Sequence, residues 1–205
     1  MDAPKPAIVF LEGNIGAGKS TLLKAIAATG TATVHLEPVD DWAKMLDYIH
    51  DMNEQPEDQR RPHGYGMQSA VLDWFSREIR DVLANGTGLH VFERSPDACA
   101  QVFGPYWESR GLLSPSQARH IEHLLGYLKS DSKYEDLVRA TVYLDTPAGA
   151  CEDRARSRGD RESVQRQIPE TAELYEKLAT DRQWPRIDST RPTEEQLVAF
   201  MRLVA

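Results

Sequence analysis

The chain contains the run Gly13-Asn14-Ile15-Gly16-Ala17-Gly18-Lys19-Ser20-Thr21, which fits the pattern G-x-x-x-x-G-K-[ST]. Such a run folds into a tight loop at a helix N-terminus, where backbone N–H groups surround phosphate oxygens. Lys19 is then placed to reach the β- and γ-phosphates as a point charge, and the Ser20 hydroxyl is placed to bind Mg²⁺. Residues 13–21 are therefore predicted to form a P-loop that binds ATP or a similar nucleotide.

The segments on either side of this run have the patterns that a P-loop requires. Ala7–Glu12 is a short apolar stretch rich in β-branched and aromatic residues, as in a strand buried on both faces. Residues 20–28 combine helix formers with apolar positions at Leu22, Leu23, Ile26 and Ala27. A strand, a glycine-rich loop and a helix in this order strengthen the prediction beyond the motif alone.

Outward from the loop, strand-like and helix-like segments alternate along the chain. Further strands are predicted at residues 33–37, 89–93, 140–145 and 184–187, and helices at residues 42–50, 67–84, 96–110, 116–129, 147–158, 169–180 and 193–204. The polar stretch 51–66 is predicted to be a surface loop. This alternation predicts an α/β P-loop kinase fold, with a parallel sheet of about five strands and helices on both faces. Because no repeat or linker is visible, residues 1–205 are predicted to form a single domain.

Composition and charge argue against several classes of protein. The chain has 24 basic and 32 acidic residues, a net charge of −8, whereas a nucleic-acid partner requires a basic surface. Cys99 and Cys151 lack the spacing of a disulfide framework or a zinc site, which favours a reducing, cytoplasmic setting. The short polar N-terminus and the lack of a long apolar stretch argue against a signal peptide and a membrane span.

Residues 12–22 are more specific than a generic P-loop, and they resemble the deoxynucleoside kinase family. That family includes deoxycytidine, deoxyguanosine and mitochondrial-type thymidine kinases and, more distantly, herpesviral thymidine kinases. Further stretches resemble it in the same order, spanning about residues 7–180: 37–42, 67–69, 92–95, and 154–162 followed by Ile168-Pro169. The resemblance implies transfer of the γ-phosphate of ATP to a deoxynucleoside 5′-hydroxyl, with Mg²⁺. It also implies a homodimer, to which helices 67–84 and 96–110 contribute.

Charged residues end two of the predicted strands, at the sheet edge where α/β folds gather ligand groups. The resemblance makes Glu37 the base that takes the proton of the 5′-hydroxyl, as phosphoryl transfer requires. It makes Arg94 a clamp near the 5′-oxygen and phosphate, and Glu93 a Mg²⁺ ligand, directly or through water. From the residues alone, a surface carboxylate and a structural ion pair remain alternatives.

Three side chains are candidates for binding the nucleoside. The amide of Gln68 donates and accepts side by side, so it can pair with the edge of a base, and the resemblance assigns it that role. The resemblance also implies that Phe103 stacks on the base and that Trp42 packs on the nucleoside. Without it, Gln68 would be a solvated helix residue and the two aromatic side chains would belong to the core.

Four arginines lie within eight residues: Arg154, Arg156, Arg158 and Arg161. This segment resembles the family's lid, here about residues 154–168, which closes over the ATP phosphates and stabilises the transferring charge. Asp160 separates Gly159 from Arg161 and breaks the usual Arg-Gly-Arg spacing, so Arg158 is the preferred catalytic arginine. Glu162 is matched to the family's lid-end glutamate, which holds the sugar 3′-hydroxyl. The alternative is a solvated charged face.

The identity of the base depends on three positions, Val71, Phe75 and Cys99. In the deoxycytidine and purine-tolerant relatives, an arginine and an aspartate occupy the positions that match Phe75 and Cys99, but here both are uncharged. An apolar wall beside Gln68 suits the 5-methyl group of thymine, so thymidine is expected first and deoxycytidine second. The family also has a tyrosine that contacts the 3′-hydroxyl, and Tyr48, His50 and Tyr65 remain open for this role because the spacing differs.

Other P-loop functions remain as alternatives. One alternative, a deoxynucleoside kinase that accepts purine nucleosides, belongs to the same family. A nucleoside monophosphate kinase, such as a dTMP kinase, needs a second set of phosphate-binding arginines, for which Arg60, Arg61 and Arg77 are available without a recognisable motif. A nucleotide-switch GTPase needs an Asn-Lys-x-Asp type segment to bind guanine, and the sequence has none.

Overall fold

A parallel sheet of five strands forms the centre of the fold in the computed structural model, which describes residues 5–60 and 62–205. The strands are β1 (Ala7–Glu12), β2 (Ala32–His35), β3 (Leu89–Glu93), β4 (Val138–Asp145) and β5 (Arg186–Asp188). Their order in the sheet is β2-β3-β1-β4-β5, and every pairing is parallel. The predicted α/β class and five-stranded sheet are confirmed.

Helices connect the strands. They are α1 (Lys19–Ala28), α2 (Val39–Glu54), α3 (Gly64–Asn85), α4 (Pro96–Ala98), α5 (Gly104–Ser109), α6 (Pro115–Lys129), α7 (Ser132–Leu137), α8 (Ala148–Arg158), α9 (Glu162–Asp181) and α10 (Thr193–Val204). A 3₁₀ turn spans Glu57–Gln59, and a π-helical segment spans Cys99–Phe103.

Alternate residues of β1 enter two different hydrophobic clusters. Ile8 and Phe10 pack on one face of the sheet with residues of α2, α3 and α6. Val9 and Leu11 pack on the other face with residues of α1, α8 and α10. This alternation is what a strand buried on both faces requires, and it confirms the prediction of helices on both sides of the sheet.

The structure corrects three local predictions. The stretch 51–66 is helical at both ends, because α2 continues to Glu54 and α3 already begins at Gly64, and a 3₁₀ turn lies between them at Glu57–Gln59. The predicted helix 96–110 is divided, since Pro105 has no N–H for the normal ladder and a π-helical segment precedes it. The lid is helical from Glu162 onward, with Pro169 inside α9, whereas the prediction began that helix at Pro169. The lid therefore bends at Gly159, whose φ of 77° ends α8.

Helix α7 is absent from the sequence-based prediction. Its signal is the Asp131 side chain, which accepts a hydrogen bond from the Lys133 N–H and caps the helix. In the part of the chain that the structure describes, no helix is long and apolar enough to cross a lipid bilayer.

Candidate functional site

The P-loop joins the carboxyl end of β1 to the start of α1. Gly13, Gly16 and Gly18 have φ values of 153°, 77° and 103°, a region that L side chains rarely adopt. A Cβ on Gly16 would also lie 2.5 Å from the carbonyl oxygen of Cys151. The loop therefore depends on its glycines for both conformation and space.

Lys19 is held inside the loop that it follows. Its side chain is 5% exposed, and Nζ donates hydrogen bonds to the carbonyl oxygens of Gly13 at 2.9 Å and Asn14 at 3.0 Å. Burial, with the charge of Arg94, lowers the pKa of Lys19 to about 8. The ammonium group is thus partly desolvated and positioned at the phosphate end of the site.

The side chain of Asn14 anchors the loop instead of facing the nucleotide. Its Nδ2 donates to the carbonyl oxygen of Ile168 at 2.8 Å, and its Oδ1 accepts from the Ile15 N–H and the Thr171 hydroxyl, each at 2.8 Å. Asn14 therefore ties the P-loop to α9, beside the lid.

A cavity of about 420 Å³ opens from the P-loop along the carboxyl edge of the sheet. Its wall brings together these predicted residues: Ile15, Gly16, Gly18, Lys19, Ser20, Thr21, Glu37, Trp42, Gln68, Val71, Glu93, Arg94, Cys99, Phe103 and Arg158. The wall also contains residues that the sequence analysis did not single out: Val39, Leu46, Met67, Ser95, Trp107, Val164 and Gln167. A volume of this size suits a small organic ligand.

Glu37 and Arg94 form an ion pair at the phosphate end of the cavity. Arg94 Nε donates to Glu37 Oε2 at 2.9 Å, and its Nη1 donates to the carbonyl oxygen of Gly13 at 3.1 Å and to the Tyr175 hydroxyl at 2.5 Å. The φ of Arg94 is 63°, a strained value that costs about 1–3 kcal/mol and is typical of functional sites. Burial raises the pKa of Glu37, although the Arg94 guanidinium opposes this effect. Glu37 lies two residues beyond the end of β2, and not at the end of the strand as predicted.

The two predicted metal ligands lie side by side. The Ser20 hydroxyl donates a hydrogen bond to Glu93 Oε1 at 2.9 Å. Hydroxyl and carboxylate oxygens, completed by phosphate oxygens, are the ligands that Mg²⁺ prefers in nucleotide sites. The donor set at this position therefore fits Mg²⁺.

Glu12 is a buried acid of the site that the sequence analysis did not identify. Its carboxylate is 0% exposed, accepts from the Ser95 hydroxyl at 2.6 Å and lies 3.3 Å from the Gly13 N–H. Burial raises its pKa to about 7, and the charge of Arg94 opposes this effect. The available signal was an acidic residue at the end of a strand buried on both faces, directly before the P-loop.

Gln68 and Cys99 form the polar part of the other end of the cavity. The Cys99 thiol donates to Gln68 Oε1, and it lies 3.5 Å from the Gln68 carbonyl oxygen. Burial raises the pKa of Cys99 well above its ordinary value, so the sulfur carries its proton and acts as a donor. Val71, Met67 and Trp107 supply apolar wall here.

The prediction that Phe75 shapes the space around the base is wrong. Phe75 is 0% exposed and packs in the core, with ring centroids 4.7 Å from Trp74 and 6.2 Å from Phe10. It lies seven residues after Gln68 on α3, which is about 10 Å farther along the helix axis. Helical periodicity places the two side chains on one face, but only Gln68 reaches the cavity.

Only one of the four lid arginines lines the cavity. Arg158 is part of the wall and pairs with Asp160 at 2.5 Å. Arg154 supports the P-loop from outside, because its Nη1 donates to the carbonyl oxygens of Gly16 and Ala17 at 3.2 and 2.9 Å. The exposed Arg156 pairs with Asp153. Arg156 and Arg158 are two positions apart on α8, and this offset turns the two side chains toward different sides of the helix.

Arg161 and Glu162 are not brought to the cavity either, which corrects their predicted roles. Arg161 pairs with Asp51 at 2.5 Å and Asp47 at 3.4 Å, both on α2, because these acids offer a nearer opposite charge. The Glu162 side chain is 79% exposed and lies 3.8 Å from Arg166 on its own helix. Arg161 therefore joins the lid to α2, and Glu162 faces solvent.

This placement gives a prediction about the lid. We expect Arg158→Ala to lower kcat by at least about 10²-fold, because a lost arginine finger removes charge stabilisation from the transferring phosphoryl group. Arg156→Ala is the matched control, since that side chain is exposed and lies off the cavity, and it is expected to keep kcat near wild type. Steady-state kinetics with saturating ATP measure both variants. Equal losses in the two would contradict the assignment of Arg158.

The chain is similar to known proteins in both sequence and fold. A sequence profile described as deoxynucleoside kinase matches residues 9–181. A thymidine kinase of Ictalurid herpesvirus 1 (strain Auburn) is 30% identical over 208 residues, covering 94% of this chain and 83% of that protein. Structures of a deoxyadenosine kinase from M. mycoides with bound dATP and with bound dCTP superpose with TM-scores of 0.75 and 0.71. Each superposition covers 96% of this chain and 98% of the M. mycoides chain, at 16% sequence identity. The two structures therefore have the same fold as this chain.

Proposed function

The chain belongs to the deoxynucleoside kinase family, and from that premise we propose that its preferred acceptor is thymidine, with deoxycytidine second. The observation that carries this proposal is the base end of the cavity, where Gln68 lies beside the uncharged Cys99 and Val71. The viral relative that is 30% identical is a thymidine kinase, which supports the same choice.

The base end fits a pyrimidine by chemistry. The amide of Gln68 can donate to a ring carbonyl and accept from a ring N–H, which is the paired edge that thymine offers. Met67, Val71 and Trp107 provide an apolar wall, and a 5-methyl group gains free energy by leaving water there. The protonated Cys99 thiol donates to Gln68 Oε1 and so favours one of the two orientations of the Gln68 amide. In that orientation, Nε2 points away from Cys99 and toward the ligand.

The phosphate end fits in-line phosphoryl transfer. Glu37 is placed to accept the proton of the 5′-hydroxyl as the oxygen attacks, and its raised pKa makes it a stronger base than an exposed carboxylate. Arg94, held by Glu37 and Gly13, is placed to stabilise charge near the attacking oxygen. Lys19 and Arg158 are placed to stabilise charge on the γ-phosphate.

Ser20 and Glu93 would hold Mg²⁺ at this end of the site. When bound, the ion neutralises charge on the β- and γ-phosphates. Glu93 and Ser20 already share a hydrogen bond, so their oxygens converge without rearrangement of the backbone. Glu37 remains paired with Arg94 and is not needed as a Mg²⁺ ligand.

The number of cavity arginines favours a nucleoside over a nucleoside monophosphate as acceptor. In the described part of the chain, the arginines of the cavity wall are Arg94 and Arg158. Arg77 is exposed and pairs with Asp73, and Arg60 donates to the carbonyl oxygen of Gln55. Arg61 lies outside the described residues. A monophosphate acceptor would need additional positive charge beside its own phosphate.

A transfer assay with ATP, Mg²⁺ and separate acceptors tests the proposal. The acceptors are thymidine, deoxycytidine, deoxyadenosine, deoxyguanosine and dTMP. We expect the highest kcat/KM with thymidine and the next with deoxycytidine. A preference for purine deoxynucleosides would refute the pyrimidine assignment while keeping the family, and transfer to dTMP alone would indicate a monophosphate kinase.

Replacing Gln68 with leucine is expected to raise KM for thymidine by about 10- to 100-fold, because the base edge is then buried without hydrogen-bond partners. The substitution keeps a side chain of similar length in α3, so kcat is expected to change less than KM. Gln101, which is half-buried and lies outside the cavity wall, offers the matched control Gln101→Leu. An unchanged KM in the Gln68 variant would remove Gln68 from base recognition.

We also infer that the protein is a homodimer, because members of this family commonly form homodimers. The interface is expected to include α3 and the segment 96–110. Light scattering after size exclusion measures the mass, and a value near 23.1 kDa, the mass of one chain, would contradict this inference.

A further inference from the structure

The last two residues of β1 hold the two residues that follow β3. The backbone N–H of Arg94 donates to the carbonyl oxygen of Leu11 at 2.9 Å, and the Ser95 hydroxyl donates to Glu12 Oε1 at 2.6 Å. These contacts lie directly where the backbone of Arg94 has its φ of 63°. A strained conformation of this kind persists only where the surrounding contacts over-determine it. The contact between Glu12 and Ser95 supplies one of these constraints.

The Glu12 carboxylate is directed at Ser95 more than at the P-loop. The distance of 2.6 Å from the Ser95 hydroxyl is typical of a strong hydrogen bond to a charged oxygen. The distance of 3.3 Å between Glu12 Oε2 and the Gly13 N–H is longer than most N–H···O hydrogen bonds. The shorter bond therefore indicates that the main task of this acid concerns residues 94 and 95.

Glu12 also interacts with Arg94 by charge. Both groups are shielded from water, since Glu12 is 0% exposed and the Arg94 side chain is 12% exposed. Burial raises the pKa of Glu12, and the charge of Arg94 is the largest effect that lowers it. Because little water screens the two charges, they attract each other more strongly than a surface pair does.

Tyr175 interacts with the same two groups. Its hydroxyl is buried and accepts a hydrogen bond from Arg94 Nη1 at 2.5 Å. Burial raises the pKa of Tyr175 well above its ordinary value, and the Glu12 carboxylate adds to this effect. The phenol therefore keeps its proton and stays a neutral partner of the guanidinium.

A second acid near Arg94 has a physical reason in the transfer reaction. Glu37, the ion-pair partner of Arg94, loses its negative charge when it takes the proton of the 5′-hydroxyl. Within the part of the chain that the structure describes, the cavity wall does not include Glu12, so this acid is not placed to touch a substrate. It can therefore keep holding Arg94 throughout the reaction.

Resting on the proposed function, in which Arg94 stabilises charge near the attacking oxygen, we propose that Glu12 is a positioning residue for Arg94. It acts through the Ser95 hydroxyl on the backbone of residues 94 and 95, and through its charge on the guanidinium. The guanidinium is thus aimed before the substrates bind and need not reorganise during transfer.

Steady-state kinetics of Glu12→Gln test this proposal. Glutamine keeps the size of the side chain and an oxygen for Ser95, but it removes the charge. We expect kcat to fall by about 10-fold or more, while KM for ATP and for the nucleoside stays nearly unchanged, because Arg94 acts on charge that develops in the transition state. An unchanged kcat would overturn the proposal. A raised KM for ATP with unchanged kcat would overturn it as well and would indicate that Glu12 supports the P-loop.

A double-mutant cycle with Arg94→Ala shows whether Glu12 acts through Arg94. Arg94→Ala alone is expected to lower kcat by about 10²-fold or more, and adding Glu12→Gln is expected to cause little further loss. Additive losses would overturn the proposal. A loss in Arg94→Ala with none in Glu12→Gln would overturn it while leaving the proposed function intact. Full kcat in Arg94→Ala would overturn the role of Arg94 in the proposed function and this proposal together.

Two further variants complete the test, and each is measured with the deoxynucleoside that is the best acceptor, so the result does not depend on the base. Ser95→Ala keeps the carboxylate and removes its hydrogen-bond donor, and it is expected to lower kcat by a smaller factor. If Glu12→Gln does not fold, full kcat in Ser95→Ala overturns the proposal. Asp145→Asn is the matched control, because Asp145 ends the neighbouring strand β4 and pairs with Arg186. It is expected to keep kcat, and a loss equal to that of Glu12→Gln would contradict a specific role of Glu12.

Discussion

Lys19→Ala is expected to lower the rate of phosphoryl transfer by about 10³-fold or more, because it removes a preorganised positive charge from the γ-phosphate. Lys19 is buried, and its ammonium group already lies on the inner side of the loop, bonded to the carbonyl oxygens of Gly13 and Asn14. A charge held in this way stabilises the transition state without reorganising during the reaction. No other lysine lines the cavity within the described chain.

The measurement is a single-turnover transfer assay with ATP and the preferred nucleoside. Lys24→Ala is the matched control, since Lys24 is exposed on the same helix, and it is expected to keep full activity. Thermal unfolding of both variants shows whether the loop survives the loss of the two hydrogen bonds that Lys19 donates. If a folded Lys19→Ala variant kept activity within a few-fold of wild type, this result would contradict the role of the P-loop in phosphoryl transfer.

Glu37→Gln is expected to lower kcat by about 10²- to 10⁴-fold, the usual contribution of a general base, while nucleoside binding changes little. Glutamine keeps the size of the side chain and an oxygen that accepts from Arg94 Nε, so the geometry of the pair is preserved. What is lost is the ability to take the proton of the 5′-hydroxyl. Equilibrium binding of nucleoside and steady-state kinetics measure the two effects separately.

The pH dependence gives a second measurement for the same residue. A base must be deprotonated to act, and burial raises the pKa of Glu37 above that of an ordinary glutamate. We therefore expect kcat/KM to fall as the pH decreases through this raised pKa, at a higher pH than for an exposed carboxylate. The fall is expected to be absent in Glu37→Gln. Asp41→Asn, at an exposed position near the start of α2, is expected to keep the wild-type profile. A flat profile in the wild type would argue against Glu37 as the base.

Much of this site could be predicted because its parts are local in sequence. The P-loop needs a strand, three glycines and a helix that are contiguous, and the structure has them at the predicted residues. Glu93 and Arg94 could be placed at the sheet edge because they follow an apolar strand directly. The final helix is likewise confirmed at Thr193–Val204, with Glu194 and Glu195 in its first turn.

In the lid, the spacing of residues in the sequence is insufficient to predict which arginines reach the cavity. The four arginines are close in the chain, yet one lines the cavity, one supports the P-loop, one pairs with a neighbouring acid and one reaches α2. Their directions depend on where α8 ends, on Gly159, and on the two acids of a helix about 110 residues earlier. None of these determinants is contained in the spacing of the arginines.

The sequence by itself determined the α/β fold and the strand, glycine-rich loop and helix of the P-loop, because periodicity and contiguous motifs specify strands, helices and their faces. The roles of Glu37, Gln68 and Arg94 follow from the family resemblance and stay predictions. Only the tertiary structure decided which faces meet. It placed Phe75 in the core, buried Glu12 against Ser95, and set His50 on the cavity wall beside Ser163. These outcomes depend on contacts between residues far apart in the chain, which the pattern of any one segment does not encode.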